Sequence, residues 1–286
     1  MPRTVYSIKA EIRDHAITIP APENTLHHAI PNACNVCHKD RDANWALERM
    51  NAWYGPASRQ KLIRRADAFA SARKGAADAV PLLLAILSEP KEGALVRANA
   101  AGYLGNFQPD PTVMRALLGA LADPEALVRA IAARVLHLGT AYRSETGPAL
   151  AALLSDPAAS VRVAAGVGLI SMGLRQPPSE YVEPLELAKQ LFRARAALNA
   201  DDAEQDLAAG RFYMLQADFA SAIAAFQTSL KLDPEIPVQY FLGGAYAEQG
   251  NFPAAKRILE SIPMSDAQYD KAQRLLKAIA AQTAGR

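Results

Sequence analysis

Cys34 and Cys37 are the two cysteines of this 286-residue chain, and His38 follows the second directly. Cysteines about one helical turn apart face the same way. Both can form thioethers to the two vinyl groups of one haem edge, which places the His38 imidazole under the ring as proximal iron ligand. The spacing therefore predicts haem c, at one site. A disulfide between the same two residues would close almost no loop and so constrain almost nothing.

Two other chemistries use these residue types. A tetrahedral zinc site could draw on Cys34, Cys37 and two of His27, His28 and His38. A thioredoxin-like redox pair needs a strand before the motif and a helix after it, in a βαβ setting, and no sheet pattern is evident. The chain holds no Gly-rich phosphate loop, nucleophile elbow or His-x-x-x-His pair, so no catalytic residue is assigned.

The elements that must position this motif are helical. Half the residues are hydrophobic but only 7% are aromatic, a profile that suits helices packed on helices. The net charge of +2 gives no strong field for nucleic acid or an anionic membrane surface. No apolar run reaches the roughly 18 residues of a membrane span.

Residues 1 to about 40 stand apart. Pro20, Pro22 and Pro31 argue against helix, Ile17-Thr18-Ile19 is an extended run at best, and His15, His27, His28 and His38 all lie here. So little apolar content builds no core of its own, and the segment needs a cofactor or a neighbouring surface to order it. From Asp42 the pattern turns helical: Leu47, Met50, Trp53 and Tyr54 include three- and four-residue steps, with Trp45 eight before Trp53, ahead of a stop at Gly55-Pro56. Met50 reads as a core position. A second helix is expected over about 57 to 73.

An internal repeat follows. Glu89-Pro90 precedes Val96-Arg97, Asp123-Pro124 precedes Val128-Arg129, and Asp156-Pro157 precedes Val161-Arg162. Acidic-Pro marks the turn between two helices, with Pro near the first turn of the next one. These segments closely resemble short HEAT-like repeats over about residues 75 to 175. His137, among Val135, Leu136 and Leu138, reads as a structural histidine there. After a break at Gln176-Pro177-Pro178 and one further helix, Gly210, Tyr213, Ala222, Phe226 and Pro234 take key positions of a tetratricopeptide repeat. Gly243, Tyr246, Ala255 and Leu259 recur 33 residues later. This resembles two tetratricopeptide units over about 203 to 264, closed by a helix from Asp266 to Ala281. The expected fold is all-α, a helical-hairpin solenoid preceded by an irregular haem-binding segment. Its divisions are 1–56, 57–175 and 176–286.

The motif's surroundings also resemble a family. Arg13-Asp14-His15, Ile19-Pro20, Pro22, Pro31-Asn32-Ala33-Cys34, Cys37-His38, Asp40, Trp45-Ala46 and Trp53-Tyr54-Gly55 look like a recurring segment of bacterial multihaem c-type cytochromes. In that family the segment is commonly the last haem site before a helical, repeat-bearing half. The resemblance covers about residues 10 to 55 and implies bis-histidine coordination, with His15 the first candidate for the distal ligand. His28 and His27, closer to Cys34 in sequence, are the second and third. Trp45 and Trp53 share a helix face, which is expected to dock this helix on the first HEAT-like pair or to pack on the porphyrin edge.

The implied function is an electron-transfer module whose partner is a redox protein or an upstream haem domain. The repeat surface is expected to bind protein or peptide. The alternative is a non-redox interaction scaffold with a zinc-stapled or vestigial Cys/His segment. Haem c is attached outside the cytoplasm in bacteria, yet Met1-Pro2-Arg3-Thr4-Val5-Tyr6 lacks the layout of a signal peptide. The chain is therefore expected to be a periplasmic or otherwise exported fragment, with its signal and further haem sites upstream.

Overall fold

The computed structural model describes residues 3–5, 11–13, 19–136, 140–174, 178–199 and 201–284. Its contacts divide the chain into two compact units, Met1–Ala120 and Leu121–Arg286. The division falls inside the HEAT-like run, whereas the pattern of motifs changes at 56 and 175. The fold is all-α and built of helical hairpins, with one small addition. Strands β1 (Arg3–Val5) and β2 (Glu11–Arg13) pair antiparallel, Thr4 opposite Ile12. Of the extended run expected at residues 17 to 19, only Ile19 lies within the described residues.

The prolines predict a helix-free start, yet two short helices form there: α1 (Pro22–His28) and α2 (Ala33–Cys37). Pro22 sits in the first turn of α1, where its missing N–H costs little. Ala29, at φ 55°, ends that helix in the left-handed conformation. The first unit continues with α3 (Ala43–Tyr54), α4 (Gln60–Arg73), α5 (Ala79–Leu87), α6 (Ala94–Leu104) and α7 (Pro111–Ala120). α1 packs against both α3 and α4, and α4 against α5.

The second unit holds α8 (Ala126–Leu136), α9 (Arg143–Ala152) and α10 (Ala159–Ser171). After them come the long α11 (Ser179–Leu198) and the hairpins α12 (Ala203–Leu215) with α13 (Phe219–Leu232) and α14 (Gln239–Glu248) with α15 (Phe252–Glu260). α16 (Tyr269–Ala284) closes the run. Among the described residues no helix is long and apolar enough to cross a membrane.

Why the HEAT-like register needs an acidic residue and an arginine is visible at the turns. Asp123 and Asp156 each accept the backbone N–H two residues on, at 2.9 and 2.8 Å, so the carboxylate closes the turn and Pro lies in it rather than in the next helix. The arginine of the following helix then donates to the turn's carbonyls. Arg129 Nη1 reaches Asp123 O at 2.8 Å and Pro124 O at 3.0 Å. The same guanidinium grips the next turn: Nε and Nη2 meet the two oxygens of Asp156 at 2.8 and 2.9 Å. This two-pronged bond holds the Asp156 carboxyl below its ordinary value and raises that of Arg129.

The register also extends one unit upstream of the Val-Arg pattern. Arg65, 27 residues before Glu92, donates to Glu92 Oε2 from Nε at 3.0 Å. Burial opposes ionisation of Glu92 most strongly, but Arg65 and Lys61 outweigh it and lower its value. In the tetratricopeptide hairpins a glycine faces each large side chain. Gly210 lies against the ring of the fully buried Phe226. A Cβ at Gly243 would come within 2.6 Å of Leu259 Cγ.

Two outcomes follow for stability. Gly210→Ala overpacks the Phe226 contact and is expected to cost about 1–3 kcal/mol in urea unfolding, with no change in helix content by circular dichroism. Asp156 has a depressed folded value, so its stabilisation is present above the unfolded carboxylate value and lost as pH falls through the folded one. Asp156→Asn should therefore cost about 2–3 kcal/mol at neutral pH and progressively less below pH ~4, read from melts across pH.

Candidate functional site

α2 is only five residues long and is held by polar contacts rather than by its own core. Asn32, 6% exposed, caps it by accepting from Asn35 N at 3.2 Å. Its amide nitrogen donates to Thr25 Oγ1 and to Asn35 Oδ1, each at 2.8 Å. Asn35 Nδ2 in turn donates to Arg41 O at 2.8 Å and Asp42 O at 3.1 Å, which fixes the loop between His38 and α3. Asp42 then caps α3, accepting Trp45 N at 2.9 Å. That backbone bond, more than the one from Asn44, keeps its carboxyl below the ordinary value. One chain of small polar side chains thus runs from α1 through α2 to the start of α3.

Its product is a recess of about 280 Å3. Cys34, Cys37 and His38 form one wall; both cysteines are free thiols, Cys34 half-buried and Cys37 exposed. The other wall is a single face of α3, carrying Trp45, Met50 and Trp53, with Arg49 on the same face. The His38 ring lies 4.8 Å from that of Trp45, tilted by 54°. Trp53 is 65% exposed, so a large apolar surface faces solvent beside the cysteines. Of the two roles expected of the tryptophans, docking α3 on the next helices or packing on a porphyrin edge, the second needs an open face, and the face that carries them lines the recess. Met50 is buried, as a core residue, while also bordering the space.

Of the remaining histidines, His27 and His28 do not join this wall. His28 Nε2 is 2.7 Å from Asp67 Oδ1 on α4. His27 is exposed, its ring 6.1 Å edge-on from that of His28. His15 and His137 lie outside the described residues. No group of three or more His, Cys, Asp or Glu among the described residues is arranged to hold a metal ion, so the four-ligand zinc set is not gathered.

What sequence reasoning missed is the anchor behind the recess. Arg59, completely buried, stands 2.8 Å from Glu23 Oε1 and donates from Nε to both Glu23 oxygens at 2.9 and 3.1 Å. Its Nη1 reaches Gly55 O at 2.8 Å and its Nη2 reaches Asn51 Oδ1. One side chain therefore ties α1 to the end of α3 and the start of α4. Burial is the largest influence on Glu23 and raises its carboxyl, but the Arg59 bond and charge prevail and the net value is lowered. Asn24 Nδ2 adds a long bond to Leu62 O at 3.5 Å. A glutamate one residue after a proline at a helix start was the available signal, but its partner lies 36 residues away.

The comparisons with known families bear on the repeats. A model of HEAT repeats matches residues 57–137, and a tetratricopeptide repeat model matches residues 213–279. Neither match extends to residues 10 to 55. No curated protein and no solved structure matches the chain. The chain is thus a helical repeat protein with a cysteine-histidine recess at the N-terminal side of its HEAT run.

Glu23→Gln leaves the buried Arg59 charge without its counterion. It is expected to cost about 3–5 kcal/mol of the first unit's stability. Because the Trp45 and Trp53 emission reports on this region, their fluorescence transition in urea should shift; an unmoved midpoint would contradict the anchoring role.

Proposed function

We propose that this chain is a helical-repeat interaction scaffold whose N-terminal recess carries one covalently attached haem, working as an electron-transfer module docked to a partner protein. The HEAT and tetratricopeptide matches support the scaffold half, since stacked hairpins present extended binding surfaces. The haem half rests on one observation: Cys34, Cys37, His38 and an exposed tryptophan converge on a single apolar recess.

The residues present fit the group. Cys34 and Cys37 would hold it through two thioethers, His38 would ligate its iron, and Trp45, Met50 and Trp53 would give it an apolar wall. Arg49, which has no ion pair among the described residues, adds a cation for the haem's carboxylates. When bound, the haem supplies a one-electron couple at its iron, tuned by axial ligation and by burial. As a further iron ligand the family resemblance ranks His15 first, then His28 and His27; His28 would first have to leave Asp67. Attachment of this kind places the protein in the periplasm or another exported compartment.

A second reading, a scaffold with no redox group, is supported by the family matches falling on the repeats alone. One measurement separates the two. Protein made in the periplasm with c-type maturation should show a sharp alpha band on reduction, and the pigment should survive acid-acetone extraction. Cys34→Ala/Cys37→Ala should abolish it; pigment that persists in that variant, or none in the parent, leaves the second reading. His15→Ala should turn a low-spin ferric spectrum high-spin, and an unchanged spectrum moves the assignment to His28.

A further inference from the structure

His38 is exposed on a surface turn, a setting in which an imidazole ordinarily samples several rotamers. Its surroundings here leave it little freedom. The turn runs from His38 to Arg41, closed by Arg41 N donating to His38 O at 3.1 Å. Both ends are pinned to α2: His38 N donates to Cys34 O at 2.9 Å, and Asn35 Nδ2 donates to Arg41 O at 2.8 Å. The same amide nitrogen reaches Asp42 O at 3.1 Å. Asp42 Oδ1 accepts Trp45 N at 2.9 Å, and the Trp45 ring stands 4.8 Å from that of His38. The circuit that leaves Asn35 through Asp42 and Trp45 therefore closes on the imidazole.

Asn35 suits this place by its hydrogen-bonding groups more than by its size. Nδ2 meets two carbonyls while Oδ1 accepts Asn32 Nδ2 at 2.8 Å. An aspartate there fills the same volume but, when ionised, has no donor. It sets a carboxylate oxygen against the carbonyls of Arg41 and Asp42, which frees the far end of the turn. Asn32 Nδ2 still finds an acceptor, and the backbone bond that caps α2 is untouched. We propose that Asn35 is a positioning residue for His38: it pins the turn so that the imidazole stands against Trp45 in one orientation, set in advance for ligation. The use of this to the chain rests on the haem reading, whereas the positioning belongs to the polypeptide itself.

The test uses the full chain made in the cytoplasm and labelled with 13C and 15N. The His38 ring signals are identified by their loss in His38→Gln. The ring current of Trp45 should displace them from their positions in the urea-unfolded chain, and the Hα–Hβ couplings should report a single χ1 rotamer. Asn35→Asp should return the ring signals to the unfolded positions and average the couplings, with the tryptophan fluorescence midpoint in urea unmoved. In protein made with c-type maturation, the same variant should raise the high-spin fraction of the ferric spectrum above the parent's. Averaged couplings in the parent overturn the proposal, and that measurement needs no variant. Asn35→Asp with the parent's ring shifts or spin state overturns it too, as does a midpoint lowered as far as in Glu23→Gln, since the effect is then not local. Failure of the haem reading shows instead as a parent without pigment, and the ring measurements then decide the positioning alone.

Discussion

Everything about the recess depends on one desolvated cation. The Arg59 guanidinium has no exposure to water, so each of its donors must be met inside the protein, and the groups that meet them come from Glu23, Asn51 and Gly55. Those partners lie on α1, on α3 and at the bend after α3. Satisfying a single side chain therefore sets where two helices stand relative to each other. From α1 the constraint passes through Thr25 to Asn32 and α2, where the cysteines are. Through α3 it passes to the tryptophan face. Neither α1 nor α2 is long enough to be stable alone, so their order is borrowed from this anchor.

The repeats solve a different problem with the same residue type. The HEAT-like turn at Asp123-Pro124 exposes carbonyls that no helix satisfies, and Arg129 covers them while reaching the carboxylate of Asp156 in the next turn. Both partners of the Arg129–Asp156 pair are largely buried, at 13% and 7% exposure, so the bond works at low dielectric and resists screening. The tetratricopeptide hairpins rely instead on shape: small residues on one helix admit a ring or a branched chain from the other.

Much of this was legible from residue order alone. The Val-Arg register and the paired Gly and aromatic positions each encode a local requirement, and each reads directly. What stayed hidden depends on partners far apart in sequence or on degenerate signals. Glu23 and Arg59 are both ordinary charged residues until the fold buries them together. The upstream repeat unit at Arg65 escaped because Arg64-Arg65 replaces Val-Arg and Gly55-Pro56 replaces the acidic-Pro turn. Pro22 read as a helix breaker, although at the first turn a proline is compatible with helix. The face of α3 was visible as a stripe, but a stripe does not say whether it meets another helix or open space.

The bonds around the cysteine loop differ from the anchor in one more respect, their reach along the chain. Asn32, Asn35 and Asp42 bind groups three to seven residues away, whereas Arg59 reaches back 36 residues to Glu23. Short-range closure is fast and carries little entropic cost, while the long link waits for more of the polypeptide. The thiol-bearing turn can thus take shape from its own neighbourhood, before α4 is in place. Arrival of Arg59 then converts a provisional loop into a fixed wall.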